Sequence, residues 1–366
     1  MKKILTVVGA RPQFVKAAVL SRLIKTEKWK EKFKEILVHT GQHYDASMSD
    51  VFFEDMGIPH PDYNLNIGSG SHGKMTGQML IQIEELLLKE KPDIVLVYGD
   101  TNSTLAGALA ASKLHIPLAH VEAGLRSFWK YMPEEQNRVL TDHISDFLFC
   151  PTETAVKNLK SEGITDGVHN VGDIMLDANL FYLKKLQDEK KRGINRLDNV
   201  RGLNKEIIQN DFVLATVHRA ENTDNHEKLS QIIEAFNELP ANVVLPLHPR
   251  TKKMVESFGL SFSKNVSIID PIGYFEMLEL EFLCKCIITD SGGVQKEAYF
   301  MKKPCITLRD QTEWVETVES GWNTIVGTDK NKILSAYNSC NILPKSYPSY
   351  YGSGNTGESI FEILMK

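Results

Sequence analysis

The sequence is poor in the features that mark several functional classes. It has only five cysteines in 366 residues, an odd number. Of Cys150, Cys284, Cys286, Cys305 and Cys340, four sit in or beside apolar runs. That pattern argues against a disulfide framework and for buried thiols in a reducing compartment. Cys284-Lys285-Cys286 has the wrong spacing for a zinc knuckle. Positive charge is not in excess: 42 Lys and Arg face 47 Asp and Glu, for a net charge of -5. Nothing in that balance draws the chain to nucleic acid or to an acidic membrane surface. Long hydrophobic runs are missing too. Met1-Lys2-Lys3 leads into Ile4–Val8, which is too short for a signal core or a membrane span, so a cytoplasmic location is expected. There is no G-x-G-x-x-G after the first strand and no G-x-x-x-x-G-K-[ST], which disfavours a nicotinamide cofactor and a P-loop.

What remains is an ordinary globular composition, 42% hydrophobic and 24% charged, in a chain long enough for two domains. Short apolar runs alternate with longer helical patterns. The first half has six such runs, from Ile4–Gly9 to Val168–Asp173. The second half has six more, from Phe212–His218 to Thr324–Gly327. Continuous apolar strands separated by helices predict parallel sheets covered on both faces. The expected fold class is α/β, with two Rossmann-type doubly wound domains. The expected boundaries are 1–173, 174–345 and a C-terminal helix over 346–366 that crosses back to the first domain. Ile174–Ile208 is polar, helical in pattern and without an apolar strand, and reads as the hinge.

In open α/β sheets ligands bind beyond the carboxyl ends of the strands. Here those ends are polar. The first run ends in Gly9-Ala10-Arg11-Pro12-Gln13, with Lys16 just inside a helix. Others end in Gly99-Asp100-Thr101 and in His120-Val121-Glu122-Ala123-Gly124. The segment Pro133-Glu134-Glu135-Gln136-Asn137-Arg138 follows. In the second half the ends carry His218-Arg219, His248-Pro249-Arg250 and Asp290-Ser291-Gly292-Gly293. Ser291-Gly292-Gly293 suits a diphosphate at a helix start; a tight turn would also favour glycine there. Glu297 is placed either to accept from ribose hydroxyls or to be a solvated helix charge. Asp100, Glu122 and Glu134 suit acid/base chemistry, or, singly, helix capping and pairing with Arg11 and Arg126. His218 and His248 read either as loop supports or as groups that stabilise leaving-group charge.

Taken in order, these segments resemble the non-hydrolysing UDP-N-acetylglucosamine 2-epimerases over essentially the whole chain. The match includes Gly9-Ala10-Arg11-Pro12 with Lys16, Gly41-Gln42-His43, Gly99-Asp100-Thr101 and His120 through Arg126. It continues through Pro133-Glu134-Glu135 with Asn137-Arg138, His218-Arg219, Thr289 through Gly293 with Glu297, and Thr312-Glu313. The resemblance implies a GT-B-like fold with the site in the interdomain cleft, and no metal or redox cofactor. It implies a UDP-sugar substrate and a homodimer, with no nucleic acid or membrane partner.

The implied reaction interconverts UDP-GlcNAc and UDP-ManNAc. UDP leaves by anti-elimination to a 2-acetamidoglucal and adds back. The resemblance makes Asp100, Glu122, Glu134 and His218 the catalytic residues. It makes Arg11, Lys16, Arg138, Ser291, Gly292, Gly293, Glu297 and Glu313 UDP-sugar contacts, and it puts Tyr274 and Phe275 in a loop lining the uracil pocket. Two departures stand out. Gln13 replaces a common Glu, and Trp314 replaces an arginine. Both resemble a branch that includes UDP-2,3-diacetamido-2,3-dideoxyglucuronate 2-epimerases, which supplies a second candidate sugar. The same motifs are also compatible with a hydrolysing epimerase or a GT-B glycosyltransferase. Asp45 and the Asn66–Ser69 loop depart from the pattern of the substrate-activated enzymes, so weak or absent substrate activation is expected.

Overall fold

The computed structural model describes residues 1–41, 53, 55–68 and 70–366. Gln42, His43, Asp45 and Ser69, on which the expectation about substrate activation partly rests, lie outside the described residues. The chain divides into two compact units, Met1–Ala178 with Ser349–Lys366, and Asn179–Pro348.

The first unit holds a parallel sheet of strands β1 (Lys2–Val8), β2 (Phe33–His39), β3 (Tyr63–Asn64), β4 (Ile94–Tyr98), β5 (Leu118–Val121), β6 (Phe147–Cys150) and β7 (Val168–Asn170). Their order is β3-β2-β1-β4-β5-β6-β7. Every run expected in this half contains a strand. The addition is β3, a two-residue edge strand with a half-buried Tyr63 and an exposed Asn64, which has no apolar run to announce it. The inner strands read as unbroken apolar runs because helices cover both faces. On one face Leu5, Val7, Val38, Val95 and Val97 pack against Met79, Ile83 and Leu87 of the helix His72–Glu90 and against the alanines of the helix Asn102–Lys113. Each buried Val or Leu contributes roughly 1.5–3 kcal/mol by leaving water.

The second unit holds β8 (Phe212–Thr216), β9 (Asn242–Pro246), β10 (Val266–Ile269), β11 (Cys286–Thr289), β12 (Cys305–Thr307) and β13 (Asn323–Ile325). They are parallel in the order β10-β9-β8-β11-β12-β13. Val213 and Ala215 of β8 face one core with Ile232 and Phe236. Phe212 and Leu214 face the other, with Leu280, Val294 and Ala298.

The C-terminal residues belong to the first unit. Asp173 N–H donates to the Tyr351 carbonyl at 2.9 Å. Phe361, in the helix Thr356–Leu364, stacks on Phe33 at 4.6 Å. Among the described residues no helix is long and apolar enough to cross a membrane. All five cysteines are free, and only Cys340 is not fully buried. Burial pushes the Cys305 thiol up to about 12, and it raises Cys150 and Cys284 as well.

Each sheet reverses its winding once, at β1/β4 and at β8/β11. Those switch points are where doubly wound sheets hold ligands. The segments that follow them carry Arg11 and Asp100 in the first unit, and His218 and Ser291 in the second.

Candidate active site

In the first unit, β4 and β5 run in register, with Tyr98 beside Val121. Gly99 and Glu122 follow them directly. Glu122 has a backbone φ of +75°, rare for a residue with a side chain. Its N–H and that of Ala123 both donate to the Phe149 carbonyl at 3.1 Å, which holds the strained turn. Its carboxylate forms a close ion pair with Lys16, which projects from the helix Arg11–Ile24. Both side chains are about nine-tenths buried. Space for the pair depends on Gly99. A β-carbon there would lie 3.2 Å from Glu122 Oε2 and 3.5 Å from Lys16 Nζ, and φ at Gly99 is +61°.

Asp100, one residue on, forms a close ion pair with Arg138 Nη2. Arg138 is buried and belongs to the helix Pro133–His143. Its Nη1 donates to Glu135 at 2.9 Å. Asn137 donates to the Asp100 carbonyl at 2.9 Å. Glu134 is exposed in the first turn of that helix, whereas Glu135 is buried and turns inward. Arg11 opens the helix after β1 and is partly exposed.

A buried layer supports these loops. His120 donates through Nε2 to the Gly99 carbonyl at 2.7 Å, and its Nδ1 meets Asp142 at 2.7 Å. Arg126 donates to Asp142 at 2.7 Å and grips Glu162 with two further bonds. Burial alone would raise the Asp142 carboxyl, but His120 and Arg126 outweigh it and hold it below the ordinary aspartate value. Gln13 is likewise structural. Its Oε1 accepts from the Gly9 and Ala10 amides at 2.8 and 3.0 Å, and its Nε2 donates to Tyr98, Thr101 and Thr104. A glutamate there would lack the donor side of that bridge.

In the second unit, Asp290 is fully buried at the end of β11. It accepts from the backbone N–H groups of His218 and Arg219 at 3.0 and 2.9 Å, and from Asn222 at 3.2 Å. It also meets His218 Nδ1 at 3.2 Å. With Nδ1 donating to Asp290, the tautomer is set and Nε2 is left for a ligand. His218 is half-exposed. His248 lies 6.3 Å away, ring to ring, and accepts from the Arg250 N–H. Burial, with His218 and Arg250 adding to it, lowers its proton affinity.

Gly292 and Gly293 open the helix Gly292–Phe300. First-turn amides have no partner within a helix, which suits an anion. A β-carbon on Gly292 would come within 2.7 Å of Glu313 Oε1. Arg309 donates to the other oxygen of Glu313 at 3.0 Å. Glu297, further along, is nearly buried. Burial pushes Glu281 far above the ordinary carboxyl value, with Glu297 adding to the shift.

Tyr274 and Phe275 open the helix Tyr274–Leu283 and do not sit in a loop. Phe275 is 3% exposed, with Tyr182 and Arg196 flanking its ring and Tyr274 edge-on to it at 6.1 Å. Trp314 is buried, with Lys296 Nζ 4.1 Å from its ring centre. Sequence reasoning did not single out Glu135, Asp142 or Glu281. Only the doubled acid in Pro133-Glu134-Glu135 was a visible signal.

The family model for UDP-N-acetylglucosamine 2-epimerase matches residues 25–365. A Methanococcus maripaludis protein described as a UDP-N-acetylglucosamine 2-epimerase homolog is 56% identical, over 99% of each chain. The Pseudomonas aeruginosa UDP-2,3-diacetamido-2,3-dideoxy-D-glucuronate 2-epimerase is 53% identical, over 100% of this chain and 99% of its own. Among solved structures, the Methanocaldococcus jannaschii UDP-GlcNAc 2-epimerase in complex with UDP-GlcNAc and UDP superposes with a TM-score of 0.88. It has 46% identity and covers 100% of this chain and 99% of its own. The GT-B-like class expected from the sequence agrees with that likeness.

Proposed function

Because the chain belongs to the UDP-N-acetylglucosamine 2-epimerase family of isomerases, we propose that it inverts C2 of a UDP-N-acetylhexosamine, interconverting UDP-GlcNAc and UDP-ManNAc. The observation that carries the reading is the arrangement at β4 and β5. Two carboxylates follow neighbouring parallel strands, one paired with Lys16 and the other with Arg138.

A proton on C2 is not next to a carbonyl, so its removal alone would leave an unstabilised carbanion. Loss of UDP from C1 removes that difficulty. A carboxylate takes the C2 proton, the C1–O bond to UDP breaks, and a C1–C2 double bond forms. A UDP oxygen then bonds to C1 and a proton reaches C2 from the other face. Asp100, Glu122 and Glu134 are the acid/base groups. His218, oriented by Asp290, stabilises charge on the departing diphosphate. Arg11, Lys16 and Arg138 are cationic partners for the substrate. The amides of Ser291, Gly292 and Gly293 hold phosphate, Glu297 and Glu313 accept from hydroxyls, and Tyr274, backed by Phe275, borders the uracil. The chain acts in the cytoplasm.

A second reading keeps the chemistry and changes the sugar to the 2,3-diacetamido glucuronate. It is supported by the 53% identity to the enzyme named for that sugar, which lies between the 56% to the Methanococcus maripaludis UDP-N-acetylglucosamine 2-epimerase homolog and the 46–47% to two archaeal enzymes named for UDP-GlcNAc. The test is incubation with each UDP-sugar in heavy water, followed by NMR. Deuterium at C2 with UDP-ManNAc present supports the first reading. Exchange with the diacetamido uronate alone supports the second. Free ManNAc would mean hydrolysis and would defeat both. Glu122→Gln should abolish exchange while UDP still binds.

A further inference from the structure

Between Glu122 and the helix Pro133–His143 runs a loop with three large exposed rings. Phe128 is 77% exposed, Trp129 47% and Tyr131 75%. Phe128 holds a φ of +60°, a conformation that bulky side chains avoid. Such strain persists only where neighbouring contacts enforce it.

Glu135 supplies those contacts. Its Oε2 accepts from the Ser127 N–H at 2.8 Å and the Ser127 hydroxyl at 2.9 Å, and its Oε1 accepts from the Phe128 N–H at 2.8 Å. The same Oε2 accepts from Arg138 Nη1 at 2.9 Å. Arg138 Nη2 is paired with Asp100. One unbroken chain of hydrogen bonds therefore runs from the strained loop to a candidate acid/base group. Four donors converge on a carboxylate that is 4% exposed.

We infer that Glu135 is a positioning residue that ties the aromatic loop 127–131 to the carboxylate of Asp100, so that displacement of the loop also displaces Asp100. The functional side of this inference rests on the epimerase reading. A simple loop staple would need the Ser127 and Phe128 bonds alone. The shared guanidinium makes this a coupling.

The test is Glu135→Gln, whose amide nitrogen would face N–H donors and break the chain. Two readouts are needed. Trp29, Trp314 and Trp322 are at most 6% exposed, so acrylamide quenching of tryptophan fluorescence reports chiefly on Trp129 in the loop. Exchange at C2 in heavy water reports on Asp100. The expected result is increased quenching together with a fall in kcat of about 30-fold or more, as misplacement of a reacting group predicts. UDP affinity, which rests chiefly on the 291–293 amides of the second unit in this reading, should fall less than kcat. Increased quenching with unchanged kcat would reduce Glu135 to a staple and overturn the inference, and so would unchanged quenching. If Glu135→Gln does not fold, Ser127→Ala removes one of the four donors and should shift both readouts less, in the same directions. If the wild type turns over neither sugar, the reaction reading has failed. The tie is then tested by a crystal structure of Glu135→Gln: Arg138 still on Asp100 with the loop in place would overturn it.

Discussion

Replacing Gly99 by alanine separates backbone strain from damage to the ion pair. At φ +61° an alanine costs about 1–2 kcal/mol through its β-carbon alone. For a unit of this size that loss lowers Tm by roughly 2–4 °C per kcal/mol. The second effect is local. The new carbon lies 3.2 Å from Glu122 Oε2, closer than comfortable contact. The Glu122 backbone cannot yield, because its N–H and its neighbour's are both committed to the Phe149 carbonyl. The side chain must turn and draw away from Lys16. A shift of a few tenths of an ångström at a reacting carboxylate should slow C2 exchange by about 10- to 100-fold. Gly163→Ala is the control, since its φ is +81° and no atom lies within 4 Å of the added carbon. Both variants should lose similar stability by thermal denaturation. Only Gly99→Ala should lose deuterium exchange. If Gly99→Ala destabilises like Gly163→Ala but exchanges at the wild-type rate, the Lys16–Glu122 pair is not at the reacting centre.

Two further predictions concern buried carboxyls. Asp142→Asn leaves Arg126 short of a buried counter-charge and takes the carboxylate partner from His120, and should cost about 3–5 kcal/mol in urea unfolding of the first unit. Because the folded Asp142 sits below its ordinary value of 3.8, its contribution is present above that pH and is lost as pH falls through the folded value, so the variant should show a flatter acid limb. Glu281→Gln should behave oppositely. Neither Glu281 oxygen has a hydrogen-bond partner among the described residues, and its proton is held well above the ordinary 4.5. Its stabilisation is full below that value and is lost as pH rises through the folded one. The glutamine should therefore cost less than about 1 kcal/mol at pH 7 and should remove part of the alkaline loss seen in urea titrations of the wild type.

The strand ends were legible in the sequence for a physical reason. Strands buried on both faces must be apolar throughout, so the first polar residue after each run marks the carboxyl edge where ligands bind. Asp100, Glu122, His218 and Ser291 were found that way. β3 escaped because an edge strand of two residues needs no apolar run. The partnerships escaped because they join residues far apart in the chain: Lys16 with Glu122, and Asp100 with Arg138. No local pattern announces a pair that only the crossing of elements creates, nor the positive φ that Glu122 adopts.

The same distinction bears on the choice of sugar. From the sequence, Gln13 and Trp314 resemble the branch that supplies the second candidate sugar. In the structure both are buried, at 2% and 4% exposure. Gln13 spans two loops with bonds in both directions, and Trp314 carries Lys296 over its ring. A residue held this way marks a branch of the family through the packing it requires. An arginine at 314 would bring a second positive charge against Lys296, and two buried like charges disfavour one another. A chain with arginine at 314 therefore calls for a different residue at 296.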